Sequence, residues 1–150
     1  MENRSFYNEI LTEHNIHPEF KHDLPDANIE LEGVNPSCGD DITLKLKVDG
    51  DVITDGAFVG DGCSISQASL SVMVDLVDGK TVDEAMDLEQ TFHKLMESRG
   101  AGLDDENLEE KLGDAVVFQG VSKYPMRIKC ALLGWEGLKD SIAKALAAKN

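Results

Sequence analysis

The sequence is short of basic residues: 14 lysines and arginines stand against 29 aspartates and glutamates, a formal net charge of −15. Phosphate backbones and anionic lipid surfaces are bound through basic faces, so this balance excludes nucleic acid and anionic membrane as expected partners. It favours a partner with a basic patch. No apolar run approaches the roughly 18 residues that a membrane-spanning helix needs. The first residues, Met1 to Phe6, lack the basic stretch followed by an apolar core that marks a secretory signal, so the expected compartment is the cytoplasm. Aromatic residues are scarce, with one tryptophan, two tyrosines and five phenylalanines, and the core must be mostly aliphatic. Cysteine is scarcer still. Three cysteines cannot pair completely within one chain, and in a reducing compartment they are expected as thiols. No internal repeat, low-complexity tract or linker interrupts the 150 residues, so one domain over 1–150 is expected.

The hydrophobic pattern predicts an α+β fold. A short amphipathic helix is expected over residues 3–15, with Phe6, Ile10 and Leu11 on one side. His14, His17 and His22 follow in a connector marked by Pro18 and Pro25. Their spacing does not fit a helical pair of ligands, and they read as solvated loop residues. Strands are predicted at 27–34, 42–48 and 52–59. The middle one alternates strictly, with Ile42, Leu44, Leu46 and Val48 opposed to Thr43, Lys45 and Lys47, as expected of an antiparallel strand with one wet face. Asp49-Gly50-Asp51 signals a hairpin. Helices are predicted over 64–77, then from the capping box Thr81-Val82-Asp83-Glu84 onward, and again after Pro125, where Ile128, Leu132, Trp135, Leu138 and Ile142 recur at helical spacing. His93 on the second of these helices reads as a surface or partly buried side chain. Gly134 and Gly137 in the last helix either weaken it or let it pack closely. The acidic stretch 100–114 resembles an insertion carrying a short helix, and 115–121 reads as one or two helical turns. A three-stranded antiparallel sheet with helices packed on one face is the expected architecture.

Within this frame, Cys38 and Asp40 flank Gly39 in the turn Asn35-Pro36-Ser37-Cys38-Gly39-Asp40, where a thiolate and a carboxylate can converge on one point. The order of strands places the Gly60-Asp61-Gly62-Cys63 turn at the same end of the sheet. Cys63 falls at the start of the helix 64–77, and Cys130 in the first turns of the last helix. Three thiols and a carboxylate form a full tetrahedral set for a Zn²⁺-like ion. The separations of 25 and 67 residues match no common zinc-finger spacing. On residues alone, Cys130 also suits a small buried apolar position.

The three motifs, Asn35-Pro36-Ser37-Cys38-Gly39-Asp40, Gly60-Asp61-Gly62-Cys63-Ser64-Ile65-Ser66 and Arg127-Ile128-Lys129-Cys130, together resemble the U-type iron–sulfur assembly proteins, the IscU/SufU/NifU-N family, over essentially the whole chain. Two features resemble its SufU branch: Lys129 stands where IscU scaffolds carry a histidine before the last cysteine, and the 100–114 stretch resembles an insertion found in SufU proteins. The proline-rich chaperone motif of IscU is absent. The resemblance implies a SufE/NifU (IscU-like) fold and a zinc ion held by Cys38, Asp40, Cys63 and Cys130. It implies a zinc-dependent sulfurtransferase that accepts persulfide sulfur on Cys38 from a SufS-type cysteine desulfurase and passes it to downstream cluster-assembly proteins, a persulfide shuttle rather than a stand-alone enzyme. In the family's mechanism a desulfurase histidine displaces that cysteine from zinc. Three thiolates and a carboxylate around Zn²⁺ leave a local charge of about −2. Arg127 and Lys129 can offset it, and Arg127 is expected to steady Cys38 once it leaves the ion. Two alternatives use the same residues: a scaffold on which a [2Fe–2S] cluster is assembled, and a purely structural zinc module that docks a partner through its acidic face.

Overall fold

In the computed structural model, the described residues are Glu9, Glu13, 20–36 and 39–149. The helix expected over 3–15 lies outside them except for Glu9 and Glu13, whose backbone is helical. His14 and His17 also lie outside them.

The three strands are β1 (Ile29–Asn35), β2 (Asp40–Asp49) and β3 (Val52–Asp61), paired antiparallel in the order β1-β2-β3. Alternation decides which face is covered. Ile42, Leu44 and Leu46 of β2 are buried, whereas Thr43, Lys45 and Lys47 are only partly covered. On the wetter face Lys45 reaches Asp23 at 2.7 Å and Glu30 at 3.2 Å. The register pairs Asn35 with Asp40 and Asp41 with Asp61. The β1–β2 turn and the exit of β3 therefore lie at one end, with the Asp49–Val52 hairpin at the other. Gly60 allows that exit. Its φ is +112°, and a Cβ there would lie 2.8 Å from Ile42 Cα and overlap the Asp41 carbonyl oxygen.

Helix α1 (Ser64–Val77) starts at this end and α2 (Val82–Glu97) returns to it from the hairpin end. The Thr81–Glu84 capping box is formed in both directions, at 3.1 Å each. A short α3 (Glu106–Leu112) follows, held to α2 by the Lys111–Asp87 ion pair of 2.5 Å. The segment Gly113–Lys123 differs from an ordinary pair of helical turns: it is a 3₁₀ helix of 11 residues. The reason is legible in its buried positions. Ala115, Phe118 and Val121 recur every third residue, the repeat that three residues per turn stacks in line, with Val117 and Ser122 buried beside them. Phe118 meets Phe92 of α2 edge to face, with ring centroids 6.1 Å apart.

The long α4 (Pro125–Lys149) crosses the others. Its Trp135 is fully buried, stacks on Phe92 at 4.4 Å, and donates its indole N–H to Ser69 Oγ at 3.1 Å. Ser69 in turn donates to the Ala131 carbonyl at 2.7 Å, which ties α1 to α4 beside Cys130. Gly134 permits this approach, since a Cβ there would fall inside the Leu70 side chain of α1. One continuous hydrophobic cluster spans strands and helices, built mainly from leucine, isoleucine, valine and methionine around four large aromatic rings, Phe58, Phe92, Phe118 and Trp135. No described helix is long and apolar enough to cross a membrane.

Candidate metal centre

Each ligand candidate is delivered by a different element. Asp40 is the first residue of β2, placed by its pairing with Asn35 across a turn that Gly39 N–H closes onto the Pro36 carbonyl at 3.4 Å. Cys63 is the N-cap of α1, with an extended backbone, and its sulfur accepts the Ser66 N–H at 3.4 Å. A helix N-terminus carries free N–H groups and partial positive charge, which suits a sulfur ligand there. Cys130 lies in the second turn of α4, is 2% exposed, and accepts from Asn35 Nδ2 at 3.8 Å. Ligand atoms of Asp40, Cys63 and Cys130 all lie within 4.8 Å of one another. Around a tetrahedral zinc with bonds of about 2.0–2.3 Å, ligand atoms stand roughly 3.5–3.8 Å apart, so the three need only a small contraction.

Asp40 tests whether the site suits a cation. It is 1% exposed. Its Oδ1 accepts the Cys63 N–H at 2.7 Å and the Ser66 hydroxyl at 3.0 Å. Its Oδ2 is buried with no partner among the described residues. A buried carboxylate oxygen left without a donor is costly, and a cation between it and two sulfurs supplies what is missing. The donor set, two sulfurs and a hard oxygen, fits zinc.

Of the sequence-derived candidates, the structure brings Asp40, Cys63 and Cys130 together, and Cys38 lies outside the described residues. Cys63 is a free, half-buried thiol. Cys130 is disulfide-bonded, where the sequence leads one to expect a thiol. A disulfide sulfur carries no charge to offer a cation, so the ligand set belongs to the reduced chain. Arg127 is exposed and stacks over the Tyr124 ring at 5.2 Å, and Lys129 is exposed one residue before Cys130. His22 is turned to the backbone, its Nδ1 2.7 Å from the Asp23 carbonyl, and His93 meets Glu89 at 3.2 Å within α2. Ser66 and Asn35 touch ligand atoms, although sequence reasoning gave neither a role. The signal for Ser66 was the spacing Cys63-x-x-Ser66, which places a hydroxyl at the third helical position behind an N-cap. At the rim, on the wetter face of the sheet, a hydrogen bond shared with Asp41, and then its negative charge, push Glu32 above the ordinary carboxylate range.

Residues 6–131 match the NifU-like N-terminal domain. The chain is 39% identical over 140 residues to the zinc-dependent sulfurtransferase SufU of Bacillus subtilis, covering 93% of this chain and 91% of that protein. It is 38% identical over 141 residues to the iron–sulfur cluster assembly scaffold protein IscU of Thermotoga maritima, covering 94% and 95%. The crystal structure of an iron–sulfur cluster assembly scaffold protein for the SUF system from Fervidobacterium islandicum superposes with a TM-score of 0.81 at 38% identity, covering 92% of this chain and 97% of that one. By domain match, sequence and fold alike, the chain belongs to the NifU-like N-terminal domain family of iron–sulfur cluster assembly proteins.

Proposed function

We propose that this protein is a zinc-dependent sulfurtransferase of iron–sulfur cluster assembly, with Cys38, Asp40, Cys63 and Cys130 as the zinc ligands and Cys38 as the sulfur acceptor. The observation that carries the reading is the convergence of Asp40, Cys63 and Cys130 within 4.8 Å, with Asp40 keeping a buried oxygen that has no partner among the described residues. The similarity to a SufU named zinc-dependent supports it. Zinc has no accessible redox change, so when bound it holds thiols ionised and shields them from oxidation.

The transfer itself is thiol exchange. The Cys38 thiolate attacks the outer sulfur of a donor cysteine persulfide, R–S–SH. The donor's S–S bond breaks, the donor thiolate leaves, and Cys38–S–SH remains, with no net oxidation. A SufS-type cysteine desulfurase is the donor of this chemistry, and a cluster-assembly protein the recipient. Cys130 is fixed in a helix and Cys63 in an N-cap, both hydrogen-bonded at sulfur, which suits them to stay as anchors while Cys38 reacts. We infer that Arg127, an exposed residue three positions before Cys130, steadies the negative charge of Cys38 once it leaves the ion.

A second reading, a [2Fe–2S] scaffold, draws on relatives that carry the scaffold name at similar identity. Elemental analysis of the purified chain, paired with desulfurase turnover in its presence, separates the two. The sulfurtransferase reading requires about one zinc per chain and stimulated turnover that chelation abolishes. Iron with acid-labile sulfide, a visible chromophore and no stimulation would overturn it in favour of the scaffold.

A further inference from the structure

Ser66 makes two contacts to the candidate ligands at once. It is the third residue of α1 and 3% exposed. Its backbone N–H donates to Cys63 Sγ at 3.4 Å. Its hydroxyl lies 3.0 Å from Asp40 Oδ1 and 3.0 Å from the Cys63 carbonyl oxygen. The hydroxyl has one proton for these two acceptors. The Cys63 carbonyl already accepts the helix's own bond from Gln67 N–H at 3.1 Å, and a carboxylate is the stronger acceptor, so the proton belongs with Asp40. Together with the Cys63 N–H, this fills Oδ1 and leaves Oδ2 buried with no partner among the described residues, free for a cation.

We propose that Ser66 is a positioning residue for the metal centre: it fixes Asp40 as a one-oxygen ligand and locks it to Cys63, with the bare Gly62 making room for the contact. A Cβ on Gly62 would stand 2.5 Å from Ser66 Oγ and 2.7 Å from Asp40 Oδ1, closer than carbon and oxygen tolerate. The clamp therefore needs glycine at 62 for space. Its consequence is an asymmetric centre, in which Asp40 and Cys63 form one rigid unit across the β2 start and the α1 N-terminus. A carboxylate with one oxygen held by protein donors cannot swing into two-oxygen binding when another ligand departs. The inference rests on the metal reading of the site and adds the residue that orients it.

The test uses the full reduced chain, loaded with Zn²⁺ in competition with a chromophoric chelator and, separately, with Co²⁺ for its d–d spectrum. Ser66→Ala is expected to weaken Zn²⁺ binding about 10- to 100-fold, the usual range for a lost outer-sphere contact, and to change the Co²⁺ band envelope. Ser66→Thr, which keeps the hydroxyl, restores both. In an Asp40→Ala background Ser66→Ala is expected to change the affinity less than about twofold, because the interaction it serves is gone. Gly62→Ala, which displaces the hydroxyl without removing it, gives a second probe with the same expected dependence on Asp40. An equal loss in both backgrounds would assign Ser66 to helix capping alone and overturn the proposal, as would unchanged affinity in Ser66→Ala while the unaltered chain binds one zinc. Failure of the unaltered chain to bind metal would instead overturn the metal reading itself.

Discussion

Replacing Asp40 by asparagine should change the sign of its effect on stability when metal is added. In the metal-free structure, Asp40 Oδ2 is buried without a partner among the described residues. Asparagine keeps an oxygen for the Cys63 N–H and the Ser66 hydroxyl, now held at 2.7 and 3.0 Å. It replaces Oδ2 with a neutral NH₂ that can donate to the nearby sulfurs. Relief of one unsatisfied buried group is worth about 1–3 kcal/mol. At about 2–4 °C per kcal/mol for a chain of this size, the melting temperature of the metal-free variant should rise by roughly 2–12 °C. With zinc present the order reverses. The ion stabilises by RT ln(1 + [Zn]/Kd), so each tenfold loss of affinity removes about 1.4 kcal/mol, and the variant should melt below the parent. Paired thermal melts, in chelator and at fixed free zinc, read both signs. A variant that melts lower in both conditions would refute the reasoning, because Asp40 would then be a satisfied structural residue rather than one poised for a cation.

Three further predictions bear on other parts of the chain. Gly134→Ala should cost about 1–3 kcal/mol by overpacking Leu70 at the α1–α4 contact, read by chemical denaturation, with zinc stoichiometry unchanged. Hydrogen bonds from the Thr81 backbone and hydroxyl hold Glu84 below its ordinary 4.5, so its contribution is present above that value and is lost as the pH falls through the lowered folded value. Glu84→Gln should flatten the fall in stability below about pH 4.5; an unchanged acid limb of the melting profile would remove Glu84 from it. Cys38→Ser should leave the chain folded and abolish persulfide acceptance, followed by mass spectrometry after desulfurase treatment. Persistence of the added sulfur would move the acceptor to Cys63 or Cys130.

Local rules made much of the architecture legible before the structure. The helix predicted over 64–77 has those bounds, because apolar spacing and the preceding Gly62-Cys63 turn agree on where it starts. The Thr81 capping box is local, and it formed as read. Strict alternation in β2 identified its buried face. The stretch 115–121 reads as one or two helical turns, and its 3₁₀ form and full extent over Gly113–Lys123 are not legible, because a repeat of three from Ala115 to Val121 is too short to separate from 3.6. Gly134 offered two readings, and only the position of Leu70 on another helix decides for close approach. At the site, strand order placed Asp40 and Cys63 at one end of the sheet, whereas Cys130, which its helix left open as a buried apolar residue, joined them only by ligand counting and the family resemblance. The contacts of Ser66 and Asn35 with them were not legible, since each depends on the register of β1 on β2 or on the angle at which α1 leaves β3.

The delivery of Asp40, Cys63 and Cys130 by a strand, a helix start and a late helix has a mechanical consequence. An ion gripping all three closes chain segments of 23 and 67 residues at one point. In the unfolded chain, holding such loops shut costs an entropy that grows only slowly with their length. In the folded chain that cost has already been met by the core. With an ion bound, the centre would act as a clasp across the tertiary structure, holding α4 to the sheet while it is fastened. Opening of α4 would then require release of the ion, so resistance to proteolysis at the C-terminal helix would report how firmly the ion is held.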